Sequence, residues 1–255
     1  MSWISIGREH GSVVALPESF LTHLRERAYH PRSDKHSNAL AETIVATLVT
    51  HCQKIKEDAR RRHLVWQTNH YLQVGHTTWK TDLAIGLPPL RVAEPQELLD
   101  AGMERGTPAT TRIAIEIKGV MSEHRKAVQN RKRDLEAHHL NVHNYDPLCI
   151  AGGVLVINAA PTFRSPLRAP GVITRHKNPQ ALVKHCVDQV ASLTLATGAN
   201  PTGLDAVAAL VVNMDNVNLA ATSWVNASPA PQIGSPFHWD SFVQRICNEY
   251  TRRFP

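Results

Sequence analysis

The stretch RIAIEIKG, residues 112–119, decides the fold. Side chains alternate faces along a strand, so Ile113, Ile115 and Ile117 share one face and Ala114, Glu116 and Lys118 the other. Two opposite charges therefore stand on one side of an otherwise apolar strand. Buried charge is costly unless it is paired or bound to metal. Two readings follow: an edge strand with a solvated Glu–Lys pair, or a core strand whose charges do chemistry. The tripeptide E-x-K is too short to choose between them, and its surroundings carry the weight.

Upstream, TWKTDLAI (78–85) is a strand in which Asp82 stands just before an apolar run. It pairs with a strand over 64–74 through a turn at Gly75. Before these, Leu40, Ile44, Leu48, Cys52 and Ile55 recur at helical spacing and predict one long helix over 37–62 with a basic end. A short helix over 16–27 and a polar loop over 30–35 precede it. The segment 86–111 reads as irregular, with one helical turn near 95–101.

Downstream, a helix covers 122–140, with Met121, Val128, Leu135 and Val142 as its apolar row. A buried strand over 150–159, a basic Pro-rich loop over 164–177, a helix over 178–196, a buried strand over 205–213 and a helix over 236–253 complete the chain. Strands alternating with helices imply a single α/β domain over 1–255: a central mixed or parallel sheet flanked by helices on both faces.

The chain has 255 residues, 42% hydrophobic and 20% charged, which excludes disorder, collagen and coiled coil. The first residues lack a signal-peptide layout, and the longest apolar runs, 150–160 and 206–212, are too short to span a bilayer. The expectation is a cytoplasmic protein without a membrane partner. A net charge of +6 favours polyanions. The four cysteines are far apart and form no CxxC, so buried, reduced thiols are expected.

If strands 78–85 and 112–119 are neighbours, Asp82, Glu116 and Lys118 converge. Two carboxylates suit one or two Mg²⁺ ions, which activate water and offset charge on phosphorus, and a lysine can neutralise developing charge. On Asp82 and Glu116-Ile117-Lys118 the chain resembles the PD-(D/E)xK nuclease superfamily, which includes most type II restriction endonucleases. The helix carrying Glu42 resembles the family's first core helix, which often adds an acidic residue. The helix over 122–140 resembles the one after the E-x-K strand, and the match covers roughly 37–160. Thr81 stands where the family's name has proline.

The resemblance implies a restriction-endonuclease-like core and Mg²⁺-dependent hydrolysis of double-stranded DNA. It implies Asp82, Glu116 and Lys118 as catalytic residues, with Asp82, Glu116, the Ile117 carbonyl and Glu42 as metal ligands. Glu42 reads equally as a boundary residue of an amphipathic helix. DNA-contact candidates are Lys126, Gln129, Asn130 and Arg133 on the charged helix, with Arg105 and Arg168 in loops. The alternative for these is a solvated basic surface. His138, His139 and His143 read as surface or DNA-facing histidines. Cutting both strands of a palindrome calls for a homodimer, for which Phe237, Trp239, Phe242 and Val243 are the candidate surface. Other readings are a PD-(D/E)xK nuclease of repair, recombination or antiviral defence, and a non-catalytic nucleic-acid-binding module.

Overall fold

The structure is a computed structural model that describes residues 13–90, 102–169, 171–197 and 202–255. The expected turn near 95–101 lies outside the described residues. Helices α1 (Glu18–Glu26), α2 (Lys35–His51) and α3 (Gln53–Arg60) lead into the hairpin β1 (Val65–Val74) and β2 (Thr77–Leu87). Then come β3 (Glu104–Arg105), β4 (Thr110–Val120), α4 (His124–Tyr145) and β5 (Ile150–Asn158). After the small hairpin β6 (Thr162–Phe163) and β7 (Thr174–Arg175) follow α5 (Pro179–Ala191), β8 (Ala206–Asn213), β9 (Ser223–Trp224) and α6 (Trp239–Arg253).

The expected α/β architecture holds. Among the described residues, seven strands form one mixed sheet in the order β3-β1-β2-β4-β5-β8-β9. β2 runs antiparallel to β1 and β4, whereas β4, β5 and β8 are parallel. Ile113, Ile115 and Ile117 face a core built with Leu40, Ile44 and Leu48 of α2 and Phe242 and Ile246 of α6. Ala114 faces the second core, with Val128 and Leu135 of α4 and Val183 and Val190 of α5. Each buried Leu or Ile adds roughly 1.5–3 kcal/mol of apolar burial. Every residue of β5 is buried, as expected of a central strand in a parallel block. Gly153 of β5 lets α4 approach, since a Cβ there would lie 2.9 Å from the Leu135 side chain.

Several expectations are corrected. The helix over 37–62 is two helices, broken at Cys52, whose backbone is extended (φ −103°, ψ 101°). Cys52 is bonded to Cys247 of α6, so the cysteines are not all reduced; Cys149 and Cys186 are free and buried. Sequence spacing hides this pair because 195 residues separate two side chains that folding brings to a Cα–Cα distance of 5.2 Å. The loop over 164–177 is closed at its ends by β6 and β7. Trp239, Phe242 and Val243 are buried and Phe237 packs against the second core, so this apolar face serves the fold and is not a free dimer surface.

Candidate active site

β2 and β4 pair as far as Leu83 and Ile115 and then diverge. The carboxylate of Asp82 fills the gap, accepting a hydrogen bond from the Ile117 N–H at 2.8 Å. The fully buried Thr81 hydroxyl donates across the same gap to the Ile115 carbonyl at 3.0 Å. Threonine thus has a structural task at the position where the superfamily's name has proline. A strand residue directs its N–H and C=O toward the same neighbour. The Ile117 carbonyl therefore points toward the Asp82 side.

Glu116 and Lys118 lie near the carboxyl end of β4, where open parallel sheets bind ligands. The Lys118 ammonium is ion-paired to Glu116 and stands 3.5 Å from Asp82 Oδ2. Asp82, Glu116 and Lys118 are thus brought together as the sequence implied. Glu116 is only 5% exposed. Burial, and then the charge of Asp82, push its carboxyl up to about 7 against the pull of Lys118. Burial opposes the Lys118 charge, but Glu116 and Asp82 outweigh it and raise the ammonium above its ordinary value.

Glu116 Oε2 is buried without a hydrogen-bond partner. Its neighbour His138 Nδ1, at 3.8 Å, accepts from Trp79 Nε1, while Nε2 donates to the Ala114 carbonyl. This tautomer has no proton to offer Glu116, and burial holds the ring down to about 3. His138 is therefore a core residue, not the surface residue expected. His139 is half-buried and His143 contacts Asp205 at 3.3 Å.

Among the described residues no group of three or more His, Cys, Asp or Glu side chains is arranged to hold a metal ion. The oxygen set is smaller: Asp82, the orphaned Glu116 Oε2 and the Ile117 carbonyl. Two carboxylates and a carbonyl fit Mg²⁺, which takes few protein ligands and retains water or binds phosphate oxygens.

A cleft of about 340 Å³ opens onto Asp82 and Lys118. Tyr29, Arg32, Asn69, Lys80 and Arg131 line it, and none of them was singled out from sequence. The one available signal was an aromatic residue in the polar run YHPRSD (29–34). Asn69 sits in β1 with φ 54°, at the step facing Asp82 that the β1–β2 register skips between Thr68–Leu83 and His70–Thr81, and its buried Oδ1 is unpartnered.

The other candidates stand elsewhere. Glu42 does not line the cleft; it is exposed and pairs with Arg105 at 3.5 Å, so the boundary reading describes it. Arg105 stacks over Trp66, and Arg168 pairs with Glu123 at 3.2 Å. Lys126, Gln129, Asn130 and Arg133 are on the exposed side of α4 and do not line the cleft. The α4 cation in the cleft is Arg131. No helix among the described residues is long and apolar enough to cross a membrane. Compared with protein-family models, curated proteins and solved structures, the chain matches none.

Proposed function

We propose that this protein is a Mg²⁺-dependent endonuclease that hydrolyses phosphodiester bonds of double-stranded DNA, with a restriction-endonuclease-like core. One observation carries the reading: Asp82 and Lys118 line a cleft that also holds Arg32, Lys80 and Arg131, and Glu116, buried behind Lys118 and ion-paired to it, keeps one oxygen without a partner. The succession of a helix, the β1–β2 hairpin, the E-x-K strand and α4 also supports it.

Asp82 and Glu116 would hold the metal, with the Ile117 carbonyl beside them. Bound there, Mg²⁺ supplies a Lewis acid that activates water and stabilises charge on phosphorus. Asp82 is fixed for this by the Ile117 N–H. Lys118 keeps its proton and places a positive charge where the attacked phosphate gains negative charge. Burial keeps bulk water from Glu116, which strengthens its interactions.

Type II restriction is the leading subclass, and repair, recombination or antiviral defence are its alternatives. Cutting both strands at one site calls for two copies related by a two-fold axis. A homodimer is part of this proposal, and light scattering of the protein free and on DNA tests it. A second reading draws on Lys118, which already bridges both carboxylates: a structural ion triad in a non-catalytic nucleic-acid-binding module. Plasmid incubated with Mg²⁺, with and without EDTA, separates them. Discrete bands indicate sequence-specific cleavage, smearing a general nuclease, and intact plasmid the binding module.

A further inference from the structure

Tyr29 is held by more contacts than a loop residue needs. Its N–H donates to Asn216 Oδ1 at 2.6 Å, and Asn216 Nδ2 donates back to the Tyr29 carbonyl at 3.1 Å and to that of Arg164 at 2.8 Å. Asn216 makes this clamp from a left-handed backbone, φ 64°. The Tyr29 ring stacks on His36 at 5.0 Å. Its hydroxyl is so close to Gly119 that a Cβ there would stand 2.8 Å away, which accounts for glycine directly after Lys118. Among the described residues the hydroxyl makes no hydrogen bond. The ring and backbone are thus fixed by the protein, while the polar tip faces the cleft.

Arg131 lines the same cleft from α4. Its Nη1 donates to Asp134 at 2.9 Å, but its Nε–H is buried with no partner. Burial raises the Tyr29 hydroxyl above its ordinary value, and the charges of Arg131 and Lys118 oppose the rise. Tyr29, Lys118 and Arg131 thus line one cleft with a phenol O–H, an ammonium and a guanidinium of which one N–H is unpartnered. All three groups can donate, and two are cations, so the matching ligand is an anion with several acceptor oxygens.

We infer that Tyr29 and Arg131 form a phosphate-binding subsite next to Lys118, which grips the backbone of the nucleic-acid strand in the cleft. The inference rests on the nuclease reading and adds to it the direction in which the strand leaves the carboxylates: along the wall between the 29–34 loop and α4. Asp82 and Glu116 repel an anion, so a strand reaching them needs cations on the approach, and Lys118 and Arg131 supply them.

Tyr29→Phe and Arg131→Gln test the subsite, because neither disturbs the clamp on the Tyr29 backbone or the stack on His36. Binding is measured without metal, by anisotropy of a labelled random-sequence duplex at several salt concentrations, alongside Tm and Mg²⁺-dependent cleavage. Tyr29→Phe is expected to weaken binding about tenfold, the scale of a hydrogen bond to a charged group. Arg131→Gln is expected to weaken binding and lower the salt slope by about one unit. Both should keep the wild-type Tm, and cleavage should fall with binding. If wild type cuts DNA while both variants bind and cut as it does, the subsite is overturned and the nuclease reading stands. If wild type leaves DNA intact, the nuclease reading falls, and the binding data still decide whether the grip exists.

Discussion

Asn69 and Asp82 face each other at the step that the β1–β2 register skips, between the pairs Thr68–Leu83 and His70–Thr81, and Asn69 holds a left-handed backbone in the middle of its strand. Its effect is visible on either side. Trp66 and Leu72 are an even number of residues apart, yet Trp66 packs in the core with α2 and Leu72 in the core with α4. The left-handed residue inverts the alternation of β1. Opposite it, Asp82 turns its carboxylate to Ile117. The Asn69 amide ties the bend to α2 through Asn38 at 3.0 Å.

Left-handed backbone is open to glycine, tolerated by asparagine and poor for β-branched residues. Asn69→Gly is therefore expected to stay within about 1 kcal/mol of wild type. Asn69→Val is expected to lose about 2 kcal/mol and to cut poorly, as Asp82 shifts. Urea unfolding measures both. Equal stability of the two variants would show that φ at Asn69 does not matter.

Cys52 and Cys247 tie the α2–α3 break to α6. Replacing both by serine should cost about 2–4 kcal/mol, mostly by freeing the unfolded chain. Reductant should lower the Tm of wild type and leave the double variant unchanged. Thiol titration of the unfolded, unreduced protein should find only Cys149 and Cys186.

Asp205 is 1% exposed and is held by Arg253, His143 and the Ala151 N–H. Arg253→Gln leaves that carboxylate buried with less compensation, so a loss of about 3 kcal/mol is expected in urea unfolding. A loss below about 0.5 kcal/mol, the scale of a solvated surface pair, would contradict this role.

His36 gives stability a pH dependence. Burial first, and then the neighbouring His23, bring its ring down to about 4 from 6.5. Between those values the unfolded chain binds a proton that the native protein does not. Stability from this group is present above pH 6.5 and is lost as pH falls from 6.5 towards 4. Unfolding free energies of wild type and His36→Asn, measured across that window, check the sign: the variant should show the shallower slope.

The sheet and its helices were legible because the isoleucines of β4 and the helical rows of α2 and α4 declare their faces. Asp82, Glu116 and Lys118 were legible because charge on an apolar strand calls for an explanation. The cleft walls were not. Tyr29 is brought against Gly119 by a clamp from Asn216, far along the chain, and an aromatic residue in a polar run is the one local mark of it. Asn69 breaks the period of two on which strand reading depends, so the inversion it makes is invisible to that rule. The exposed cations of α4 drew attention by number, whereas the one in the cleft, Arg131, is set apart by position alone.

The most direct test of the account is cleavage of supercoiled plasmid in Mg²⁺ by wild type and by Asp82→Ala, Glu116→Ala and Lys118→Ala, with Tm and metal-free DNA binding measured on the same samples. Wild type should cut. Each variant should lose cleavage, since carboxylates and lysine act on one transition state, while DNA binding is retained through contacts elsewhere. Tm should hold if the three groups form a functional cleft, and should drop if they form only a structural ion triad. A Glu116→Ala protein that cuts plasmid as wild type does would contradict the proposed mechanism.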